Sequence, residues 1–213
     1  YTGSVTLDAG SDSLVIARGS ANGSNKDALI VADTLTNLSV VSGSILLTGE
    51  VTAVNKISLV ASGAVVDGND TTDADGNSIA VNNVTATELS ITASGGIGSG
   101  NRLETQVRYF SAANEGSGNI ELVNQQSPPG ALDITGISNS GGGFAVENFG
   151  DDTHGITVTG SINSADVVTI ISHSPLTVSG TISSSGGGEV TLDAETMKMS
   201  SGATISTKGD VSL

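Results

Sequence analysis

The sequence predicts an all-β chain wound into a β-solenoid, with coils of about 21 residues and loops inserted between them. Three observations predict it: an apolar–polar–apolar triplet recurring along the chain, turn-forming clusters between the triplets, and a superperiod of 21 or 22 residues in the last third. The triplets alternate with a period of two, that of a strand whose successive side chains point to opposite faces. Nowhere do apolar residues persist at i, i+3, i+4 and i+7 for three turns, so helix has no foothold.

Taken in order, the triplets begin with Val5-Thr6-Leu7, Leu14-Val15-Ile16, Leu38-Ser39-Val40 and Ile57-Ser58-Leu59. Ile79-Ala80-Val81, Leu89-Ser90-Ile91 and Ile120-Glu121-Leu122 follow. Leu132-Asp133-Ile134, Phe144-Ala145-Val146, Ile156-Thr157-Val158 and Val168-Thr169-Ile170 then start twelve residues apart. In each, the outer two side chains are expected inward and the middle one outward. Between them lie clusters such as Ser140-Gly141-Gly142-Gly143 and Ser184-Ser185-Gly186-Gly187-Gly188, whose residues turn at low steric cost.

The superperiod separates a solenoid from a sandwich. Val168 to Val190 is 22 residues, and Leu176 to Met197 and Val190 to Val211 are 21 each. A sandwich shows strands at short intervals but no superperiod; here each period of three short strands is one coil stacked on the coil before. The reading is a single solenoid over residues 1–213, of about ten coils and on the order of 50 Å long. In the first half the spacing loosens: Val5 to Leu29 and Leu14 to Leu38 are 24, Leu38 to Ile57 is 19 and Ile57 to Ile79 is 22. Residues 67–77, 114–119 and 125–130 are the expected excursions, the last, with Pro128-Pro129, being the place for a junction between sub-arrays.

Composition narrows the function. The 213 residues carry 7 basic and 22 acidic side chains, a net charge of −15, and no Lys or Arg falls between Arg108 and Lys198. Nucleic acid and anionic membrane surfaces are therefore repelled. Hydrophobic content of 37% with a mean hydropathy of +0.13 excludes a disordered tail. Cysteine is absent, so there is neither disulfide nor thiolate metal site, a composition compatible with export. No apolar run reaches membrane-spanning length, and a start at Tyr1 is expected of a mature or excised segment.

Two stretches resemble a known family. Gly188-Glu189-Val190-Thr191-Leu192-Asp193-Ala194, with Met197-Lys198-Met199, Gly202-Ala203-Thr204-Ile205 and Gly209-Asp210-Val211-Ser212-Leu213, is one. Gly95-Gly96-Ile97-Gly98, leading through Leu103, Val107 and Ala112 to Gly118-Asn119-Ile120-Glu121-Leu122, is the other. Both resemble the repeats of filamentous-haemagglutinin-like exoproteins, large secreted adhesins of Gram-negative bacteria. The resemblance implies a right-handed parallel β-helix, an extracellular or bacterial cell-surface location, and a role as stalk, fibre or adhesin toward host or neighbouring-cell glycans or proteins. It implies no catalytic residues.

The chemistry-bearing residues point the same way. His154 and His173, the only histidines, belong to no catalytic or metal motif, and Gly96-Ile97-Gly98-Ser99-Gly100 lacks the residues of a dinucleotide or phosphate loop. A polysaccharide-binding or polysaccharide-degrading β-helix enzyme is the alternative, with outward carboxylates at Glu121 and Asp133, but no base lies near them in the chain. The expectation is a non-enzyme. One local signal stands out: Asp67, Asp70, Asp73 and Asp75, with Asn69 and Asn77, offer hard oxygen ligands of the kind calcium takes, outside the EF-hand register. Calcium is thus the only cofactor suggested, and none is required. Lys208-Gly209-Asp210 is read as a coil turn, and Thr157 and Thr159 as members of hydrogen-bonded rows. Gly3-Ser4-Val5-Thr6-Leu7 and Gly209-Asp210-Val211-Ser212-Leu213 repeat one turn-and-triplet element, so the chain is expected to continue in a longer solenoid or to stack end to end on itself.

Overall fold

Apolar ends on a two-residue period, with nothing longer than a few residues between turns, leave these segments one way to bury themselves: strand laid on strand. The computed structural model describes the backbone of all residues except 1–4, 9–13, 18, 22–23, 27–29, 33–34, 41–42, 73–74, 77 and 126–129, and the side chains outside those segments from residue 43 onward. Every regular element among the described residues is a strand. The strands pair in parallel from coil to coil except in two antiparallel hairpins, Gly19–Ala21 with Ser24–Lys26 and Thr71–Thr72 with Ser78–Ile79.

Two apolar ladders run the length of the stack. One joins Ile45, Val65, Ile97, Ile120, Phe144, Val168, Val190 and Val211. The other joins Leu38, Leu59, Ile91, Ala112, Ile137, Ile162, Ile182 and Ile205. The result is a β-solenoid of about seven turns, about 23 residues apart. Ten coils is therefore too many, because the 21-residue period belongs to the last third while the middle coils and the insertions are longer. At roughly 4.8 Å per coil the described stack is on the order of 35 Å long.

Where the sequence read the period directly, the registers follow it: Val168 pairs with Val190, Leu176 with Met197 and Val190 with Val211. The triplets spaced by twelve alternate between two faces, each pairing with the next but one, as Leu132 does with Ile156 and Phe144 with Val168. In the first half the triplets mislead. Ile57 pairs with Leu89 rather than Ile79, and Leu14 with Ile45 rather than Leu38. Val5 pairs with Thr36, while Leu29, its expected partner, lies outside the described residues. A three-residue alternation carries no register of its own, and Ile79 belongs to the hairpin extruded after Asp67, 45% exposed. Residues 114–119 do not loop out: Glu115 N–H donates to Ala93 O and Ser117 N–H to Ser94 O, which keeps the turn on the coil path. Gly116 and Gly141 stack there so closely that a Cβ at Gly141 would collide with the Gly116 carbonyl. Of the expected junction at 125–130, residues 126–129 lie outside the described residues; the parallel stacking continues across it, Ile120–Asn124 pairing with Phe144–Asn148 and Leu103–Asn114 with Leu132–Asn139.

The core is filled by the outer residues of the triplets, with Phe110 and Phe144 its largest side chains. Asparagines also point inward, Asn114, Asn124, Asn139 and Asn148 among them. Asn114 Nδ2 donates to Asn139 Oδ1 at 3.0 Å and Asn124 Nδ2 to Asn148 Oδ1 at 2.8 Å, forming short buried ladders. The same side chains satisfy turn backbone, as Asn139 Nδ2 does by donating to Gly143 O at 2.7 Å. Such groups, buried without a partner, would cost about 1–3 kcal/mol each.

Candidate functional site

The most concentrated chemistry lies at the corner from which the hairpin is extruded. Asp67 is the last residue of the strand Val65–Asp67 and occupies an inward position, only 5% exposed, beside Leu47 of the coil before. A buried carboxylate there needs donors. Its Oδ1 accepts from Asn69 N–H at 3.0 Å and from Asn83 Nδ2 at 2.7 Å, and its Oδ2 accepts from Asn101 Nδ2. Asn83 also donates to Asn69 Oδ1, and its own Oδ1 accepts from Glu104 N–H at 2.8 Å. Asp70 stands at the base of the hairpin, where Oδ1 accepts from Val81 N–H at 3.3 Å and Oδ2 from Ser78 Oγ at 3.4 Å.

The next coil completes the corner. Glu104, in the strand Leu103–Asn114, brings a carboxylate oxygen to a point where one oxygen from each of Asp67, Asp70 and Glu104 lies within 4.8 Å of the others. Its Oε2 is buried and accepts no hydrogen bond. Burial, reinforced by the charges of Asp67 and Asp70, pushes the Glu104 carboxyl up to about 7. Burial also raises Asp67, against the bonds from Asn69 and Asn83 that favour its charged form. Chemically the corner is a preformed set of hard oxygen donors carrying more negative charge than its hydrogen bonds neutralise.

Of the four expected ligands, Asp67 and Asp70 are brought together. Asp75 lies exposed on the hairpin turn and is not in the cluster, and Asp73 lies outside the described residues. Glu104 escaped the sequence reading because it is the middle residue of an ordinary strand alternation; the signal for it is coil register, since Asn83 and Glu104 bond across one coil step.

Other carboxylates tie coils together. Glu147 Oε2 accepts from Arg102 Nη1 at 2.8 Å, and its Oε1 lies 2.7 Å from His173 Nε2, whose ring stacks on Phe149 at 4.4 Å. Lys56 pairs with Glu88, and Glu50 Oε1 accepts from Asn82 and Thr85. Asp133 Oδ1 accepts from Thr159 Oγ1 at 2.6 Å. His154 bonds Asp151, whose carboxyl is held down to about 2 by the Thr153 N–H and hydroxyl, with His154 adding to the effect. The expected outward rows are present as well: Ser183 Oγ donates to Asn163 Oδ1 and Thr181 Oγ1 to Ser161 Oγ.

The fold and these ties define the class, a parallel β-solenoid. No protein-family model, no curated protein and no solved structure matches the chain. The likeness to filamentous-haemagglutinin-like repeats thus rests on the motifs alone.

Proposed function

We propose that the chain is a non-enzymatic structural and adhesive module, a rigid segment of a secreted or cell-surface bacterial fibre or large adhesin. The observation that carries this reading is where the charge goes: outward carboxylates at Glu50, Glu88, Asp133 and Glu147 are engaged with side chains of neighbouring coils rather than gathered in one cleft. Together with the two uninterrupted apolar ladders, this makes stiffness the property the residues serve. The resemblance supports an extracellular location, with which the cysteine-free composition is compatible.

A polysaccharide-degrading enzyme is the second reading, favoured by one observation that chain order hides: Arg108 and Tyr109 line the same hollow as Asp133. Glycoside hydrolysis needs two carboxyl groups flanking the bond. This hollow has one, so the reading stays second.

Stacking end to end belongs to the proposal. Met199 and Val211 are 43% and 47% exposed at ladder positions where, one coil earlier, Val178 and Val190 are fully buried. A further coil fits that face. Electron micrographs and sedimentation of the 213-residue chain test both halves. Short rods are expected whose mass rises with concentration and resists high salt, as a backbone-and-apolar contact should. Compact spheres would overturn the rod, and a monodisperse monomer at high concentration would overturn the stacking.

Calcium is proposed for the acidic corner, supported by the unpartnered Glu104 Oε2 beside Asp67 and Asp70. Melting temperature at pH 8 is expected to be higher in calcium than in chelator, with Asp70→Asn abolishing the difference and Asp75→Asn preserving it. Equal melting temperatures in calcium and chelator would remove the ion.

A further inference from the structure

The central coils carry a shallow trough whose chemistry the rod reading does not use. Two hollows, of about 480 Å³ and about 150 Å³, meet at Arg108. Thr52, Thr85 and Thr87 line the first; Tyr109, Asp133 and Thr157 line the second. In a chain of net charge −15, Lys56 and Arg102 are each paired with a glutamate. Arg108 has no carboxylate partner among the described residues and instead lies over the Tyr109 ring, 5.2 Å from its centroid. Asp133 has Oδ1 committed to Thr159, while no hydrogen bond among the described residues occupies its Oδ2.

The geometry points to this trough as a binding site for a neutral glycan chain. It deepens the adhesive half of the proposed function, on which it rests, by naming the partner's chemistry. Three properties select that class. First, donor and acceptor line one hollow: a guanidinium that gives hydrogen bonds and a carboxylate oxygen that takes them, the complement vicinal sugar hydroxyls require. The partly buried Tyr109 ring adds an aromatic surface for the apolar face of a pyranose. Second, the groups sit on rigid, parallel-paired strands, with Tyr109 directly beside Asp133 and Asp133 beside Thr157. Successive coils are roughly 4.8 Å apart, close to the length of one sugar ring along an extended chain, so each coil presents its groups to one sugar.

Third, the other polymers are disfavoured. A peptide that adds as a strand needs a free edge, and here Leu103–Asn114 is bonded on both sides, to Val84–Ala93 and to Leu132–Asn139. A polyanion meets the field of an acidic chain, and Arg108 is the one cation among the residues that line the two hollows. A neutral polyol pays neither cost.

The test uses the 213-residue chain titrated calorimetrically with cellohexaose, chitohexaose and a hexamer of galacturonate. Saturable binding of at least one neutral hexamer is expected, weakened about tenfold or more by Arg108→Ala and by Tyr109→Ala and left unchanged by Lys198→Ala. Arg108 is exposed, so an unchanged melting temperature should accompany its loss, while Tyr109→Ala, at a partly buried ring, is titrated well below its own melting temperature. The site is overturned if neither neutral hexamer binds, if binding is indifferent to both substitutions, or if only the galacturonate hexamer binds. The rod reading fails separately, on particle shape. Shortened sugars recovered from the titrations would overturn its non-enzymatic half while leaving the site standing.

Discussion

Replacing Phe144 with alanine is expected to destabilise the chain by about 3–5 kcal/mol, the range for deleting a fully buried aromatic ring. Phe144 sits in the ladder between Ile120 and Val168 and is fully buried. The cost lies at the upper end of what cores show because the walls cannot close on the void. The strand Phe144–Asn148 is bonded to Ile120–Asn124 on one edge and to Val168–Ser172 on the other, and both neighbours are themselves held by further coils. Phe149→Ala provides the contrast within the same stretch. That ring is 37% exposed and stacked on His173, so its loss should cost about 1 kcal/mol, the worth of an aromatic pair. Urea unfolding of the two variants reads the difference. Equal losses would mean that the apolar ladder is not what holds the coils together.

The parts of the fold legible in the sequence are those where geometry leaves a periodic mark. Val168, Val190 and Val211 repeat every 21 or 22 residues because each coil there contains three short strands and no insertion, so the register is written in the numbering. Ile79 shows the limit. Its triplet is as regular as that of Leu89, yet Ile79 lies in an extruded hairpin and Leu89 in the core, because alternation fixes which side chains share a face and not which coil they join. The inward asparagines were illegible for a related reason. Asn114 and Asn139 have the composition of turn residues, and only the stacking of one turn on the next shows that their amides face in to serve it.

The candidate site divides along the same line. Asp67 and Asp70 are local, three residues apart, and their clustering was visible in composition. Glu104 joins them only through coil stacking, as Arg108 joins Asp133 in the trough, and neither partnership has a signature along the chain. In a solenoid the functional neighbour of a residue is about one coil away, at a distance that every insertion changes. The hairpin after Asp67 is such an insertion, and the corner it creates holds the most perturbed carboxylate described.

That carboxylate gives the second large effect, a stability that falls as pH rises. The folded-state value of Glu104 is about 7, against 4.5 for the free side chain, with burial the main cause and the charges of Asp67 and Asp70 adding to it. Between those values the folded chain holds a proton that the unfolded chain has released, so raising pH through this window favours unfolding. The stabilising proton is fully in place below about pH 4.5 and gone above pH 7, where a buried charge faces two others. Glu104→Gln keeps the shape, removes the titration and places an amide donor beside the two aspartates. In chelator, the variant should therefore match the parent near pH 5 and melt measurably higher at pH 8. Asp67, also raised by burial, remains in both proteins, so its own titration largely cancels from the comparison. A variant whose melting temperature differs from the parent by the same amount at both pH values would show that Glu104 does not carry the proton, and a variant less stable at pH 8 would reverse the sign of the whole account.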